Sequence, residues 1–227
     1  MLNTALTSGT TQVRLLAPPG VYRPQADTRL LADALSGEEL GPATEVLEIG
    51  TGTGALALDA AGAGARVTAV DVSWPAVIAA RFNALRRGTP LSVLHGDFAV
   101  RTRGRRFDLV LANPPYVPSP RARLPSHGAA RAWEAGPDGR EVVDRICSSA
   151  PALLRPGGIL LMVHSGMCGT ATTLEHLSRE GLTAEVVARA TVPWGPVLRS
   201  RRAWLLSRGL ADGGEREELV VFRARRA

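Results

Sequence analysis

Residues 45–61 have the sequence EVLEIGTGTGALALDAA. The first five residues are typical of a short buried strand, and residues 55–61 are typical of an apolar helix. Between them, Gly50, Gly52 and Gly54 permit a tight turn and let the backbone approach a ligand without a Cβ in the way. A strand that passes into a helix through a glycine turn is the first unit of a sheet that binds its ligand at the carboxyl ends of its strands.

The rest of the chain continues the alternation of short apolar segments and helical patterns. Strands are predicted over residues 66–70, 91–94, 107–112, 158–163 and 185–191, and helices over 24–40, 75–87, 140–154 and 171–179. Residues 199–208 and 218–223 are predicted to form a final pair of strands around the turn at 212–214. This order predicts an α/β fold of the Rossmann-like type, with a seven-stranded, mostly parallel sheet and helices on both faces. We expect a lead-in over residues 1–20 and one domain over 21–227.

Acidic residues stand at the ends of the first three predicted strands. Glu48 comes directly before the glycine turn, Asp71 ends the second strand, and Asp97 with Phe98 follows the third. Glu48 can accept from an ammonium group, and Asp71 can accept from both hydroxyls of a ribose. Asp97 offers an acceptor to the amine of an adenine, and the Phe98 ring offers a cover for the base. Any one of these acids alone is more typical of a helix cap or a solvated turn.

The glycine turn also fits a nicotinamide enzyme. Gly50, Gly52 and Ala55 satisfy the pattern G-x-G-x-x-G/A, and Asp71 lies at about the right distance for a ribose. A carboxylate at Glu48 would repel the pyrophosphate of such a cofactor, and it favours a cationic ligand. The nucleotide-binding oxidoreductase remains the alternative from a different class of function.

The segment Asn113-Pro114-Pro115-Tyr116 follows the apolar strand predicted over 107–112. Two successive prolines fix the backbone and donate no hydrogen bonds, so the carbonyls there are rigid and available to a ligand. The Asn113 side-chain carbonyl and the Pro114 backbone carbonyl can each accept from one hydrogen of an NH2 group. Tyr116 can lie over the planar group that carries that nitrogen. The pattern favours a site that orients a planar amide or amino nitrogen for attack.

With these residues, the chain resembles the class I S-adenosylmethionine methyltransferases, and within them the HemK-like release-factor glutamine methyltransferases. The resemblance covers residues 21–163. It includes VYRPQADT at 21–28, which is similar to the opening of the family's short branch, and GPDGRE at 136–141 after the active-site loop. The resemblance implies S-adenosylmethionine as cofactor and Asn113, Pro114 and Tyr116 as the residues that hold the amide. The residues predicted to bind the cofactor are Thr28, Glu48, Gly50, Gly52, Gly54, Asp71, Asp97, Phe98 and Asn113.

The substrate implied by the resemblance is a glutamine side chain of a protein such as a peptide chain release factor. Enzymes with the same Asn-Pro-Pro-Tyr segment also methylate amino groups of nucleic-acid bases, so a base or a small metabolite stays the alternative substrate. The short branch lacks the N-terminal helical domain of other members, and its eukaryotic enzymes work with a small activating subunit. We therefore expect a protein substrate and allow for such a subunit.

Composition adds weaker indications. The chain has 227 residues and a formal net charge of +6, and its 27 basic residues are all arginines. This excess is modest for a nucleic-acid-binding protein, so nucleic acid is not the favoured partner. Cys147 and Cys168 lie far apart, and we expect neither a metal site nor a disulfide. With no signal peptide and no long apolar run in the sequence, we expect a cytoplasmic protein without membrane contact.

Two arginine-rich segments remain open to more than one interpretation. The loop 117–135 contains Arg121, Arg123, His127, Arg131 and Trp133, and it is expected to form a wall of the substrate pocket. Its arginines are equally well explained as solvated charges, and Trp133 as a packing anchor. In the segment that contains Trp204, the arginines at 199, 201 and 202 either contact an RNA or acidic protein or belong to an exposed turn.

Overall fold

The structure is a computed structural model that describes residues 15–121, 123–125 and 128–227. Within these residues the strands form one seven-stranded sheet in the order β3-β2-β1-β4-β5-β7-β6. The strands are β1 (Glu45–Ile49), β2 (Arg66–Asp71), β3 (Ser92–His95), β4 (Phe107–Ala112), β5 (Leu154–Ser165), β6 (Leu182–Pro193) and β7 (Arg216–Arg226). β7 pairs antiparallel with both of its neighbours, and the other pairs are parallel. The predicted mostly parallel sheet is confirmed.

Helices cover both faces of this sheet. They are α1 (Ala26–Leu35), α2 (Ala55–Gly62), α3 (Trp74–Arg87), α4 (Phe98–Arg101), α5 (Glu141–Leu153), α6 (Thr170–Arg179), α7 (Pro196–Ser200) and α8 (Arg202–Ser207). On one face of the sheet, a buried cluster contains Leu31 of α1, Leu56 of α2 and Val77 of α3. On the other face, a second cluster contains Ile146 of α5 and Leu177 of α6. Adjacent strand residues enter opposite clusters, which explains why the strands are apolar on both faces.

The sheet order places a ligand crevice beside β1. β1 pairs with β2 on one side and with β4 on the other, so the connections leave β1 and β4 toward opposite faces of the sheet. In open sheets of this kind, the carboxyl ends of the strands at such a switch point border the binding crevice. The glycine turn after β1 and the segment Asn113–Tyr116 after β4 both lie at this edge.

The C-terminal segment differs from its prediction. Residues 218–223 do lie in a strand, β7, but the strand predicted over 199–208 is wrong, because this part of the chain forms α7 and α8. Pro196 occupies the first turn of α7, where a missing N–H costs nothing. Leu198 of α7 and Leu205 of α8 are both buried in one cluster with Trp194. Helical burial of these leucines replaces the strand pairing that the sequence suggested.

The predicted lead-in lies partly outside the described residues, which begin at 15. Its last residues pack on α3, where the Leu16 N–H donates to Asn83 Oδ1 at 2.8 Å and Asn83 Nδ2 donates to the Leu16 carbonyl at 3.0 Å. The single domain over 21–227 stays a prediction. In the described part of the chain, each helix is too short or too polar to cross a lipid bilayer.

Candidate active site

A cleft of about 150 Å³ opens at the carboxyl ends of β1, β2 and β4. Its walls come from three parts of the chain: the segment 20–28 with the start of α1, the glycine turn, and the loop that follows β4. The predicted site residues that line it are Thr28, Glu48, Gly50, Gly52, Asp71, Asn113, Pro114 and Tyr116. Gly54, Asp97 and Phe98 were also predicted, but the structure does not place them in the wall of this cleft.

The glycine turn needs its glycines for two different reasons. Gly50 and Gly52 have φ angles of 71° and 55°, in the left-handed region that favours glycine. Gly54 has a φ of 82°, and a Cβ at this position would lie 3.2 Å from the Cβ of Ala80 in α3. The first two glycines therefore shape the ligand side of the turn, whereas Gly54 allows α2 to pack closely against α3.

Glu48 is buried beneath the turn, with 3% of its surface exposed. Its Oε2 accepts from the Thr51 hydroxyl and from the Ala57 N–H, the latter at 3.2 Å. Desolvation raises the pKa of Glu48 to about 8, against the lowering effect of these two hydrogen bonds. The carboxyl group is thus held rigidly in a place where a neighbouring cation would favour its ionised form.

Asp71 lies at the end of β2 with both carboxylate oxygens engaged. Oδ2 accepts from the Gly52 N–H at 2.9 Å, and Oδ1 accepts from the Ser73 N–H at 2.8 Å. Burial raises the pKa of Asp71 in spite of these bonds. Each carboxylate oxygen has two lone pairs, so both can still accept from a second donor such as a ribose hydroxyl.

Asp97 and Phe98 share a partner in Arg145 of α5. Asp97 caps α4 by accepting from the Ala99 N–H at 3.0 Å, and its carboxylate pairs with Arg145 at 2.6 Å. The Arg145 guanidinium carbon also lies 4.7 Å from the centre of the Phe98 ring. In this structure a planar cation therefore occupies the position over Phe98 and Asp97 that the sequence assigned to an adenine.

Asn113 is oriented by a short chain of hydrogen bonds. Asn113 Nδ2 donates to Thr28 Oγ1 at 3.2 Å, and the Thr28 hydroxyl donates to Asp27 Oδ1 at the same distance. Because the amide NH2 group is directed at Thr28, the carbonyl oxygen is directed away from it and remains an acceptor. This is the orientation that an acceptor for a substrate NH2 group requires.

Tyr116 lines the cleft and is anchored at its hydroxyl. Its phenol donates to Asp27 Oδ2 at 3.1 Å, and the Tyr22 phenol donates to the same oxygen at 2.7 Å. Burial raises the pKa of both phenols far above the ordinary value, so both stay neutral donors. Asp27 and Tyr22 were not among the predicted site residues, although they belong to the segment 21–28 that carries the family resemblance.

The backbone of Tyr116 is supported from behind by two small residues. The Cys168 thiol donates to the Tyr116 carbonyl at 3.2 Å. Gly139, with a φ of 74°, packs so closely that a Cβ there would overlap this carbonyl. The Arg140 guanidinium donates to the Cys168 carbonyl and to Thr173 Oγ1, and it pairs with Asp144. Cys168 is therefore a buried structural thiol, and burial raises its pKa to about 12.

The loop after β4 forms the outer wall of the cleft, as expected. Val117 exchanges hydrogen bonds with Trp133 and Ala135, and Arg131 and Trp133 line the cleft. The Arg121 side chain is exposed, at 3.9 Å from Glu134. His127 lies outside the described residues.

One arginine of the C-terminal segment holds this loop in place. Arg201 forms an ion pair with the buried Glu134 and donates to the Pro118 carbonyl at 2.8 Å. Its structural role was not predicted from the sequence, because the partner lies 67 residues away. In the described part of the chain, no group of three or more metal-binding side chains is present.

Comparison with known proteins decides the family. The model of the small methyltransferase domain matches residues 12–124. A Methanocaldococcus jannaschii protein, described as a provisional protein N5-glutamine methyltransferase, is 33% identical over 183 residues, covering 80% of this chain and 91% of that protein. The chain belongs to the HemK-like glutamine methyltransferase family.

Other members of the HemK-like family differ in length. The release factor glutamine methyltransferase of Moorella thermoacetica is 37% identical over 156 residues, which are 63% of this chain and 54% of that enzyme. The chain thus matches little more than half of that relative. The Mtq2-Trm112 complex of E. cuniculi, which methylates the termination factor eRF1, contains a chain of the same fold. That chain has a TM-score of 0.62 and 20% identity, with coverage of 92% of this chain and 99% of that one.

Proposed function

We propose that the chain transfers the methyl group of S-adenosylmethionine to the side-chain amide nitrogen of a glutamine in a protein. The single observation that carries this proposal is the orientation of Asn113, whose Nδ2 donates to Thr28 Oγ1. Its carbonyl oxygen and the rigid Pro114 carbonyl are then two acceptors for the two hydrogens of one NH2 group. A planar amide is the group that fits two acceptors and the adjoining Tyr116 ring.

The residues of the cleft fit this cofactor better than a dinucleotide. Glu48 is a buried acid and Asp71 a half-buried acid of the cleft wall, and the ionised form of either would repel a phosphate. Glu48 is placed to accept from an ammonium group and Asp71 from ribose hydroxyls. S-adenosylmethionine supplies, when bound, a methyl group on a sulfonium. Asp97 and Phe98 are the proposed adenine contacts, and this requires Arg145 to move away from them.

The chemistry needs little more from the protein than orientation and hydrogen-bond acceptors. An amide nitrogen is a poor nucleophile because its lone pair is delocalised. Asn113 Oδ1 and the Pro114 carbonyl accept hydrogen bonds from the substrate NH2 group. These bonds stabilise the positive charge that grows on the nitrogen as it attacks. The new N–C bond forms while the C–S bond breaks, and one N–H proton leaves afterwards to water. Holding the nitrogen in line with the methyl donor contributes the largest share of the rate acceleration, since small misplacements cost roughly 100-fold in rate.

A peptide chain release factor is the proposed protein substrate. Support comes from the names of the relatives, which methylate glutamine in release factors, and from the eRF1 substrate of the Mtq2-Trm112 complex. The residues Asn113 to Tyr116 would accept any planar NH2 group. The choice of a release factor as the substrate therefore rests on the relatives.

A small activating subunit is a proposed partner, and α3 offers a surface for it. Trp74, Ile78, Phe82 and Leu85 are spaced at helical intervals and are 56%, 59%, 43% and 79% exposed. α3 packs beside β3, which is an edge strand of the sheet. A contiguous apolar stripe of this kind marks a protein contact more often than free surface.

The proposed function is tested by incubating the protein and its Asn113→Ala variant with methyl-labelled S-adenosylmethionine and a lysate of the host. The label is then sorted into protein, RNA, DNA and small molecules. Label in a protein fraction that disappears with the variant supports the proposal. Label confined to nucleic acid or small molecules keeps the chemistry and contradicts the substrate. Absence of label in the presence of the whole lysate contradicts the transfer reaction itself.

A further inference from the structure

Arg145 of α5 contacts the two residues that are the proposed adenine contacts. Its Nη2 atom lies 2.6 Å from each carboxylate oxygen of Asp97. Its guanidinium carbon lies over the Phe98 ring, 4.7 Å from the ring centre. The structure does not place Asp97 or Phe98 in the wall of the cleft. The side of these residues that would receive a base is therefore engaged by a side chain of the protein itself.

The hydrogen bonds of Asp97 leave little room for a second ligand. Oδ1 accepts from the Ala99 N–H at 3.0 Å and from the Val100 N–H at 3.4 Å, and it also accepts from Arg145. Oδ2 pairs with the same Arg145 nitrogen. A carboxylate has about four lone-pair positions, so Arg145 occupies acceptor sites that an exocyclic amine would need. The Phe98 ring face is likewise shared, so an adenine and the Arg145 guanidinium compete for one place.

The closed position of Arg145 is stable but easily left. The side chains of Arg145 and Asp97 are 50% and 31% exposed, and ion pairs as exposed as this contribute little. The contact of the cation with the aromatic ring adds a similar small amount. An open position also exists, because the exposed Glu141 stands four residues earlier on α5. An acid followed at this spacing by a base can form an ion pair on the helix surface.

A side chain with two positions of this kind lowers the affinity for any ligand that needs one of them empty. The apparent Kd equals the intrinsic Kd divided by the fraction of molecules in which Arg145 has moved away. The ion pair and the ring contact together favour the closed position by about threefold to tenfold. The same penalty applies to S-adenosylhomocysteine, the demethylated product, because it carries the same adenosine. The closed position therefore also limits how tightly the product is retained.

We propose that Arg145 is a gate on the adenine site, which closes over Asp97 and Phe98 in the free protein and must move before an adenosine-containing ligand binds fully. The proposal rests on the proposed function, since Asp97 and Phe98 are adenine contacts only there. Arg145 contacts neither the methyl group nor the amide. It sets the affinity for cofactor and product, and its removal should tighten the binding of both.

The test is calorimetric titration of the unchanged protein, Arg145→Ala and a control variant. The control is Arg155→Ala, because Arg155 forms an ion pair of the same length, 2.6 Å, with Asp108 and is 42% exposed. Two ligands are used, S-adenosylmethionine, which is a cation, and 5′-methylthioadenosine, which is neutral and has the same adenosine. The pair of ligands separates competition for the adenine site from simple repulsion between two positive charges.

Arg145→Ala should lower the Kd of both ligands by the same factor, about threefold to tenfold. Arg155→Ala should leave both Kd values unchanged, since its ion pair joins the starts of β4 and β5, away from the cleft. Each variant loses one partly exposed ion pair, so the melting temperatures of the two should agree. Agreement shows that a change in Kd does not come from a general change in stability.

Four results would overturn the inference. Equal Kd values for the unchanged protein and Arg145→Ala would show that adenine and Arg145 do not compete. A gain confined to S-adenosylmethionine would show that Arg145 only repels its positive charge. A rise in both Kd values would show that Arg145 stays in place and binds the ligand. If none of the three proteins binds S-adenosylmethionine, the proposed cofactor fails and the inference fails with it. This last result also contradicts the proposed function, which the first three leave standing.

Discussion

At the scale of single residues, the site depends on Asp27, a buried acid in the wall of the cleft. One of its carboxylate oxygens accepts from the phenols of Tyr22 and Tyr116, and the other accepts from Thr28. Thr28 in turn fixes Asn113. Both halves of the proposed amide site, the acceptor and the aromatic ring, are thus oriented by one carboxylate.

Replacement of Thr28 tests this orientation. Thr28→Val keeps the shape and removes the acceptor for Asn113 Nδ2, so the amide is free to rotate. We expect kcat to fall roughly 10- to 100-fold, the cost of misplacing a positioning group. Thr28→Ser restores the hydroxyl and should recover most of the rate. Equal rates in the two variants would show that the hydroxyl does not orient Asn113.

A pH dependence of cofactor binding should arise from Glu48. Its pKa is raised to about 8 by burial, so the carboxyl group is mostly protonated at pH 7 before a ligand binds. The ammonium group of the cofactor favours the charged form, so binding releases a proton and affinity rises as pH rises toward 8, by at most about tenfold per pH unit. Titration calorimetry in buffers of different ionisation enthalpy measures the number of protons released on binding. Glu48→Gln should abolish this release.

Residue types and their order along the chain were enough to predict eight of the residues that line the cleft, but not the partners of Asp97. The end of a strand places Glu48 and Asp71 at one edge of the sheet without further information. The contacts of Arg145 with Asp97 and Phe98 join α5 to a loop 48 residues earlier. A contact of this kind depends on helix packing, which no local pattern of the sequence contains.

At the scale of elements, the turn before α5 supports the segment Asn113–Tyr116 after β4. Gly139→Ala would force a Cβ against the Tyr116 carbonyl and to 3.0 Å from the Cys168 sulfur. Gly209→Ala is the matched control, since Gly209 also has a positive φ, of 67°, but has open space around it. Both variants should lose about 1 kcal/mol or more of stability through backbone strain. Gly139→Ala alone should displace Tyr116, with a further loss of about 2 kcal/mol.

Thermal unfolding and methyl transfer, measured on both variants, test this prediction. Gly209→Ala should retain the transfer rate, and Gly139→Ala should lose most of it. A Gly139→Ala protein with full activity would contradict the supporting role of this helix start.

The strands and helices were predictable where burial imposes a single period. β1, β2 and β4 are mostly apolar segments between turns, and their predicted ranges differ from the structure by at most one residue. The segment 199–208 mixes arginines with apolar residues and has no such period. Its burial is set by Trp194, just before the segment, and by the loop after β4, which is distant in sequence, so the local pattern gave the wrong element.

At the scale of the whole molecule, the substrate side of the cleft is held together by contacts between distant segments. Glu134 is 4% exposed, and its main partner is Arg201 of the C-terminal segment. Arg201→Ala would leave this buried carboxylate with the more distant Arg121, 3.9 Å away. We expect a loss of about 3 kcal/mol in the free energy of unfolding, as for a broken buried ion pair.

Chemical denaturation measures this loss, with Arg199→Ala as the control for removal of a positive charge nearby. The control should change stability by less than about 0.5 kcal/mol. Adding Glu134→Gln to Arg201→Ala removes the unpaired charge and should restore part of the lost stability. If the double variant is no more stable than Arg201→Ala, the ion pair does not hold the loop.

We propose that Asn113 directs the amide nitrogen of a glutamine toward a methyl donor. The most direct measurement is tandem mass spectrometry of the release factor of the host after incubation with S-adenosylmethionine and either the unchanged protein or Asn113→Ala, each checked for cofactor binding by calorimetry. We expect one methyl group on a glutamine side-chain nitrogen with the unchanged protein and none with the variant, which still binds the cofactor. A methyl group on a different kind of side chain, or equal methylation by the variant, would contradict it.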